Sequence, residues 1–199
     1  MTSWRIVDSQ MEFYRCQLLS RVKIQEEIVS RLATIISTEV KNLSTEHKKE
    51  IANATPVPID DRLMELTAFQ GWMEKARAAH LKESPYVTRA MVITQIYVCF
   101  VYLPEACFLT LRKNMPKDSA TRKCAKYLTD NPVRSFRNAV AHSNWTYAAD
   151  FKGLIYWARK GSDINEPIER FTVDAGELDF WQALCRCVAY AVFSSLQED

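Results

Sequence analysis

Asn131-Pro-Val-Arg-Ser-Phe-Arg-Asn-Ala-Val-Ala-His-Ser-Asn-Trp145 marks the point where this 199-residue chain changes character. Asn131 and Pro132 supply an N-cap and a first-turn proline, so a short helix is expected from 132 to about 142. Phe136 and Val140 are its apolar positions and set it against a core, which predicts that Arg137, Asn138 and His142 face outward. Downstream, Phe151-Lys-Gly-Leu-Ile-Tyr-Trp157 and Glu169-Arg-Phe-Thr-Val173 are rich in β-branched and aromatic residues. Gly161-Ser-Asp-Ile-Asn165 lies between them, so they read as a hairpin, or two short strands, with a long loop. Asp174 or Gly176 then precedes a closing helix over 177–197, apolar at Leu178, Trp181, Leu184, Val188, Ala191, Val192 and Leu196.

Upstream of the quoted stretch the pattern is helical. Over most of 8–43 apolar residues recur every three or four positions (Met11, Tyr14, Leu18, Val22, Ile28, Leu32, Ile36, Val40, Leu43) with no Gly or Pro among them. This predicts one long amphipathic helix, on the order of 50 Å, an elaboration that needs another long helix or a second copy to pack on. Ala54-Thr-Pro-Val-Pro-Ile59 breaks the pattern, and Asp60 or Asp61 can cap a second helix over 62–80. Ser84-Pro85 starts a third, reaching about 114. Its apolar centre, 90–111, has the length of a membrane span, but Gln95, Pro104 and Glu105 interrupt it. A buried central helix kinked at Pro104 is the expectation. A basic helix over 118–128 follows.

Composition agrees with helix. Apolar residues make up 48% and charged residues 25%, globular values, and only four glycines are present, too few for a many-turned β architecture. The fold expected is mainly α: one domain over 1–199, a helical bundle of about five to six helices, with a small β-hairpin between the short helix and the closing helix. The first residues lack the pattern of a secretory leader, and six scattered cysteines without C-x2-C spacing suit a reducing, cytoplasmic compartment. That spacing, with only three histidines, argues against a structural metal site.

The formal charge is +2, but its distribution is uneven. Over 112–142 eight basic residues face two acidic ones, a net +6, and over 163–199 the net is −6. The basic tract points to a polyanion, with Arg122, Lys123, Lys126 and Arg134 as candidate phosphate contacts.

No Gly-rich phosphate loop, H-E-x-x-H or G-x-S-x-G is present. His47 sits in a solvated charge run and His80 at a helix end. His142 differs, because Asn138 lies four residues before it on the same helical face and Arg137 about one turn earlier. These residue types suit cleavage of RNA by its own 2′-hydroxyl. The nucleophile is already in the substrate, an imidazole moves a proton near neutral pH, and a guanidinium answers the charge that builds on phosphoryl oxygens. No cofactor and no metal is required. The bland alternative is that Arg137 makes a structural ion pair and His142 satisfies helix-end carbonyls.

Arg137-Asn-Ala-Val-Ala-His142, inside Phe136-Arg-Asn-Ala-Val-Ala-His-Ser-Asn-Trp145, resembles the motif of the HEPN superfamily: Arg, a polar residue, then His after four to six positions. The resemblance covers residues 85–199, and the chain before them has no counterpart in it. It implies a helical bundle that forms a homodimer, with two copies of the motif helix facing each other across a cleft. It further implies a metal-independent endoribonuclease that leaves 2′,3′-cyclic phosphate ends, with Arg137 and His142 catalytic and Asn138 in support. Such proteins act as toxins or as effectors of phage defence and abortive infection, and a cognate antitoxin or regulatory protein is a possible partner. Some family members are instead non-catalytic modules that bind a protein or a nucleotide.

Overall fold

The computed structural model describes residues 9–18, 22–54, 57–80, 105–149, 152–159 and 163–197. In chain order these form helices α1 (Ser9–Leu18), α2 (Val22–Lys41), α3 (Thr45–Asn53), α4 (Ile59–His80), α5 (Glu105–Asn114), α6 (Ala120–Thr129) and α7 (Val133–Ala141). Strands β1 (Trp145–Tyr147), β2 (Gly153–Ala158) and β3 (Glu169–Asp174) follow, and α8 (Ala175–Gln197) closes the chain. The molecule is mainly helical, with a small antiparallel sheet between α7 and α8.

α8 is the axis of the core. Leu178, Phe180, Trp181, Leu184, Cys185, Val188 and Val192 are all buried, on several faces of one helix, so α8 must be covered on several sides. α2 and α4 cover much of it, and α6 and the sheet add further contacts. Asp174 Oδ1 accepts the Glu177 N–H at 2.8 Å and so closes its N-terminus.

The structure departs from the single rod expected over 8–43. The described residues form two helices, α1 and α2, which pack on each other and both reach α6 and α8. Tyr14 of α1 lies near Glu39 of α2, twenty-five positions away, which a straight helix forbids. Folding back lets Met11 and Tyr14 share one core with Leu32, Ile36 and Val40. A continuous rod would leave half of that stripe beyond a domain of this size.

Polar contacts fix the return of α1. Arg15 Nε meets Glu177 Oε2 at 2.8 Å, and the Tyr127 hydroxyl and Trp181 Nε1 donate to Glu177 Oε1 at 3.0 and 2.9 Å. One carboxylate of α8 thus ties α1 and α6 to the core. Burial, with Glu177 beside it, pushes the Tyr127 phenol far above the ordinary tyrosine range, so it stays a donor. Glu39 of α2 accepts the Ala120 and Thr121 N–H groups at 3.0 and 2.8 Å, placing a negative charge on the N-terminus of α6. Ser119 caps the same terminus by accepting the Arg122 N–H at 3.2 Å.

Three further differences have local causes. The tract around His47 is helical, because Ser44 accepts the His47 N–H at 3.3 Å and Ile51 is fully buried beneath it. α4 begins at Ile59, which places Asp60 and Asp61 inside its first turn rather than at its cap. The sheet has three strands in the order β1-β2-β3, with Trp145 opposite Tyr156 and Gly153 opposite Asp174, where two strands were expected. The kinked central helix expected at Pro104 falls on residues 81–104, outside the described ones; α5 begins just after them. Among the described residues no helix is long and apolar enough to cross a membrane.

No disulfide joins the described cysteines to one another, and Cys107, Cys124, Cys185 and Cys187 are buried. Burial pushes the Cys107 and Cys187 thiols up to about 12. Cys185 and Cys187 form no disulfide with each other, as their opposed directions on one helix require.

Two outcomes are expected. Glu39→Ala removes three charged hydrogen bonds, from the Ala120 and Thr121 N–H groups and the Thr121 hydroxyl, and a helix-terminus charge, and should lower stability by about 2 kcal/mol in a urea titration. The two protonated thiols contribute stability that is full below the ordinary thiol value of 9.0 and is lost as pH rises toward about 12, because unfolded thiols ionise first. Melting temperature should therefore fall above pH 9.0, less steeply in Cys187→Ala; equal slopes would refute the assignment.

Candidate functional site

The seat of α7 decides which of its side chains meet solvent. Val133, Phe136 and Arg137 are buried and Val140 packs partly against the core, a spacing of i, i+3, i+4 and i+7 along one helical face. Phe136 is the anchor: its ring lies 5.3 Å from Trp181 of α8 and 5.4 Å from Tyr156 of β2. Arg137 shares that face. Its side chain is only 11% exposed, and Arg137 Nη2 meets Glu105 Oε2 at 2.6 Å. The expectation that Arg137, Asn138 and His142 point outward together is thereby corrected. Placing Phe136 inward turns Arg137 inward as well, and a buried guanidinium needs a counter-charge, which α5 supplies.

The outward stripe is Arg134, Asn138 and His142, spaced by four residues. All three are exposed and line one cavity of about 580 Å³. Their side chains make no hydrogen bond or ion pair with the described residues. Asn131 and Ser135 add polar atoms from the start of α7; Ser135 Oγ donates to Asn131 Oδ1 at 2.5 Å. The opposite wall comes from the end of β2, Trp157 to Arg159, and from Ile164 and Ile168 of the β2–β3 loop. Arg159 Nε donates to the Glu166 carbonyl at 2.9 Å, which pins the guanidinium at the cavity wall. No acidic side chain is among the described residues that line the cavity. Two arginines without a lining carboxylate make it a site for an anion.

The end of α7 fixes His142. The Ser143 N–H donates to the Val140 carbonyl at 3.0 Å and the Asn144 N–H to the Ala139 carbonyl at 2.7 Å, the paired bonds of a Schellman ending. Such an ending needs a left-handed residue, and here a serine adopts φ 59° instead of glycine. His142 is the C-cap residue, outside the helix proper. The Trp157 N–H donates to the Asn144 carbonyl at 2.9 Å, so the turn carrying His142 is stitched to the strand that forms the opposite wall. Pro132, rather than Asn131, stands at the N-cap, and it offers no side-chain cap.

Of the four expected phosphate contacts only Arg134 lines the cavity. Lys126 pairs with Asp130 at 3.1 Å, Arg122 donates to the Met115 carbonyl at 3.0 Å, and Lys123 donates to Gln10 at 2.9 Å. Arg112 pairs with Asp130 and Lys113 with Glu50. Most of the basic tract thus holds helices together. Trp157, Arg159 and Asn144 escaped the sequence reading, because their place opposite α7 depends on strand pairing rather than on spacing along one helix. Compared with protein-family models, curated proteins and solved structures, the chain matches none.

Ser143→Gly should relieve the left-handed conformation and raise stability by about 0.5–1 kcal/mol, read from the denaturant midpoint. An unchanged or lower midpoint would show that the serine carries no strain.

Proposed function

We propose that this protein is a HEPN-type endoribonuclease, with His142 as its proton-transfer residue and Arg134 and Asn138 as contacts to the scissile phosphate. The observation that carries the reading is the stripe Arg134–Asn138–His142, which pairs with none of the described residues and opens to a cavity that no described carboxylate lines. An attacking 2′-hydroxyl loses its proton, its oxygen bonds to phosphorus, and the 5′-oxygen leaves and takes up a proton. The products are a 2′,3′-cyclic phosphate and a free 5′-hydroxyl. One imidazole serves one of those proton transfers, for about 10²–10⁴-fold, and a homodimer would bring a second copy of it. The motif Arg137-Asn-Ala-Val-Ala-His142 and the helical fold agree with this reading. A role as toxin or phage-defence effector, and a cognate antitoxin, rest on the motif alone.

Arg137, catalytic by resemblance, reaches RNA only by leaving Glu105. That ion pair favours a second reading, a non-catalytic HEPN module that binds its ligand and turns nothing over.

Total RNA incubated with the protein in EDTA separates the two. Cleavage to cyclic-phosphate ends, reduced at least about 100-fold in His142→Ala with an unchanged melting temperature, supports the enzyme. Arg137→Ala is expected to lose stability as well as cleavage, since it strands Glu105. Cleavage that survives in His142→Ala would refute the assignment of His142, and RNA bound but left intact would establish the module.

A further inference from the structure

β3 is an edge strand of six residues, paired with β2 on one side. β2 bonds β1 through the Trp157 N–H and the Gly153 carbonyl, which meet Asn144 and Ala148 at 2.9 and 3.0 Å. An antiparallel ladder alternates, so β2 bonds β3 through Leu154, Tyr156 and Ala158, opposite Val173, Phe171 and Glu169. The Ala175 N–H keeps the same alternation, donating to the Lys152 carbonyl at 2.8 Å. Arg170 and Thr172 therefore turn both N–H and C=O to the open side, and Asp174 turns its N–H there. None of these groups meets a partner on that side among the described residues.

The side chains of the same three residues are exposed, while Phe171 and Val173 between them are buried. Arg170 and Thr172 pair with no described side chain. Asp174 gives Oδ1 to the Glu177 N–H, and the nearby Arg15 is bonded to Glu177 rather than to it. An exposed edge is normally protected by charges that repel a second strand. Here the charges, one basic and one acidic, stand symmetrically about Thr172, so that they attract an antiparallel copy of themselves.

We infer that the open edge of β3 is a docking surface for β3 of a second copy of this chain, joined antiparallel about a two-fold axis at Thr172. In that register Thr172 bonds its counterpart and the Asp174 N–H donates to the Arg170 carbonyl of the second copy. The Arg170 side chain then lies opposite the second copy's Asp174 on one face, and Phe171 opposite Val173 on the other. Sliding the copy by one residue sets outward-bonding residues against inward-bonding ones. Sliding it by two pairs Thr172 with one charge and strands the other. Hydrogen-bond parity and charge thus select the same register independently. The axis runs through the sheet, so the two apolar faces lie on one side and the two cores adjoin. The interface is continuous backbone pairing, distinct from a contact between facing α7 helices, and it rests on β3 alone, whatever His142 does.

The test is sedimentation of the full-length protein over a concentration series, with melting temperature measured on every variant. One strand pair is a small interface, so the dimer should be weak and concentration-dependent. Arg170→Glu sets like charges opposite each other and should weaken it by about 10-fold or more. Thr172→Pro removes an outward N–H and leaves the β2 ladder intact, and should weaken it by at least about 10-fold. Asp174→Lys should weaken it as well, and mixing it with Arg170→Glu should restore association as a heterodimer, because both charge pairs are then complementary. Asp174 also caps α8, so Thr172→Cys serves if that variant fails to fold. A short thiol crosslinker should then join two Thr172→Cys chains above the wild-type background, and should not join Thr146→Cys chains, whose cysteine stands on the opposite edge strand, β1. A protein that stays monomeric up to roughly 1 mM overturns the inference. So does a dimer that folded Arg170→Glu and Thr172→Pro leave unchanged, which would place the contact elsewhere on the molecule. Neither result touches the ribonuclease reading, whose test is cleavage.

Discussion

The contact on which the rest of the site depends is Phe136 between Trp181 and Tyr156. Its ring is fully buried and touches the central helix on one side and the middle strand on the other. Tyr156 in turn stacks on Phe171 at 5.3 Å, so the anchoring cluster spans four elements, α7, α8, β2 and β3. Fixing one side chain of a nine-residue helix fixes its rotation, and the rotation decides everything else on it. Arg137 must go in and find a carboxylate. Arg134, Asn138 and His142 must go out. The cavity exists because the sheet that covers Phe136 ends beside the stripe that Phe136 turns outward.

The same core places demands on its polar groups. Glu177 accepts from Tyr127 and Trp181 and pairs with Arg15, and Glu39 accepts from the first turn of α6. Each is a carboxylate in a partly buried place, and each is saturated with donors, which is the condition for a charge to sit there. Gln182 is an exception: its amide is buried and meets no hydrogen-bond partner among the described residues. The return of α1 onto α2 follows from the same logic. Arg15 is useful to Glu177 only if α1 comes back across the core, and that return also buries Met11 and Tyr14.

What could be read from the residues, and what could not, divides along the range of the interaction. The closing helix was legible, because its apolar spacing acts within a few residues, although that spacing leaves its start open between Asp174 and Gly176. So was the β character of Gly153–Ala158 and Glu169–Asp174. The inward turn of Arg137 was not read: the spacing of Val133, Phe136, Arg137 and Val140 favours it, but the charge led to the opposite expectation. The break between α1 and α2 was not legible, since no Gly or Pro marks it and only tertiary packing favours it. β1 is three residues long, too short for any alternation to announce it. Trp157 and Arg159 join the site through the pairing of β2 with its neighbours and the fit of α7 on the sheet, neither of which is written in local sequence.

The basic tract shows how a net charge can mislead about a site. Its +6 is the feature that suggests a polyanion, yet much of that charge is spent inside the molecule. Arg112 and Lys126 share Asp130, Lys113 meets Glu50, and Arg137 meets Glu105, each tying one part of the fold to another. What distinguishes Arg134 is not its position in the tract but its lack of a partner among the described residues; Arg159, outside the tract, meets a backbone carbonyl there but no described carboxylate. An unpaired cation at a cavity wall keeps its attraction for an incoming anion, whereas a paired one must first give up its carboxylate. Recognition is therefore better located by asking which charges the fold leaves unspent, and here those charges converge on the cavity that His142 borders.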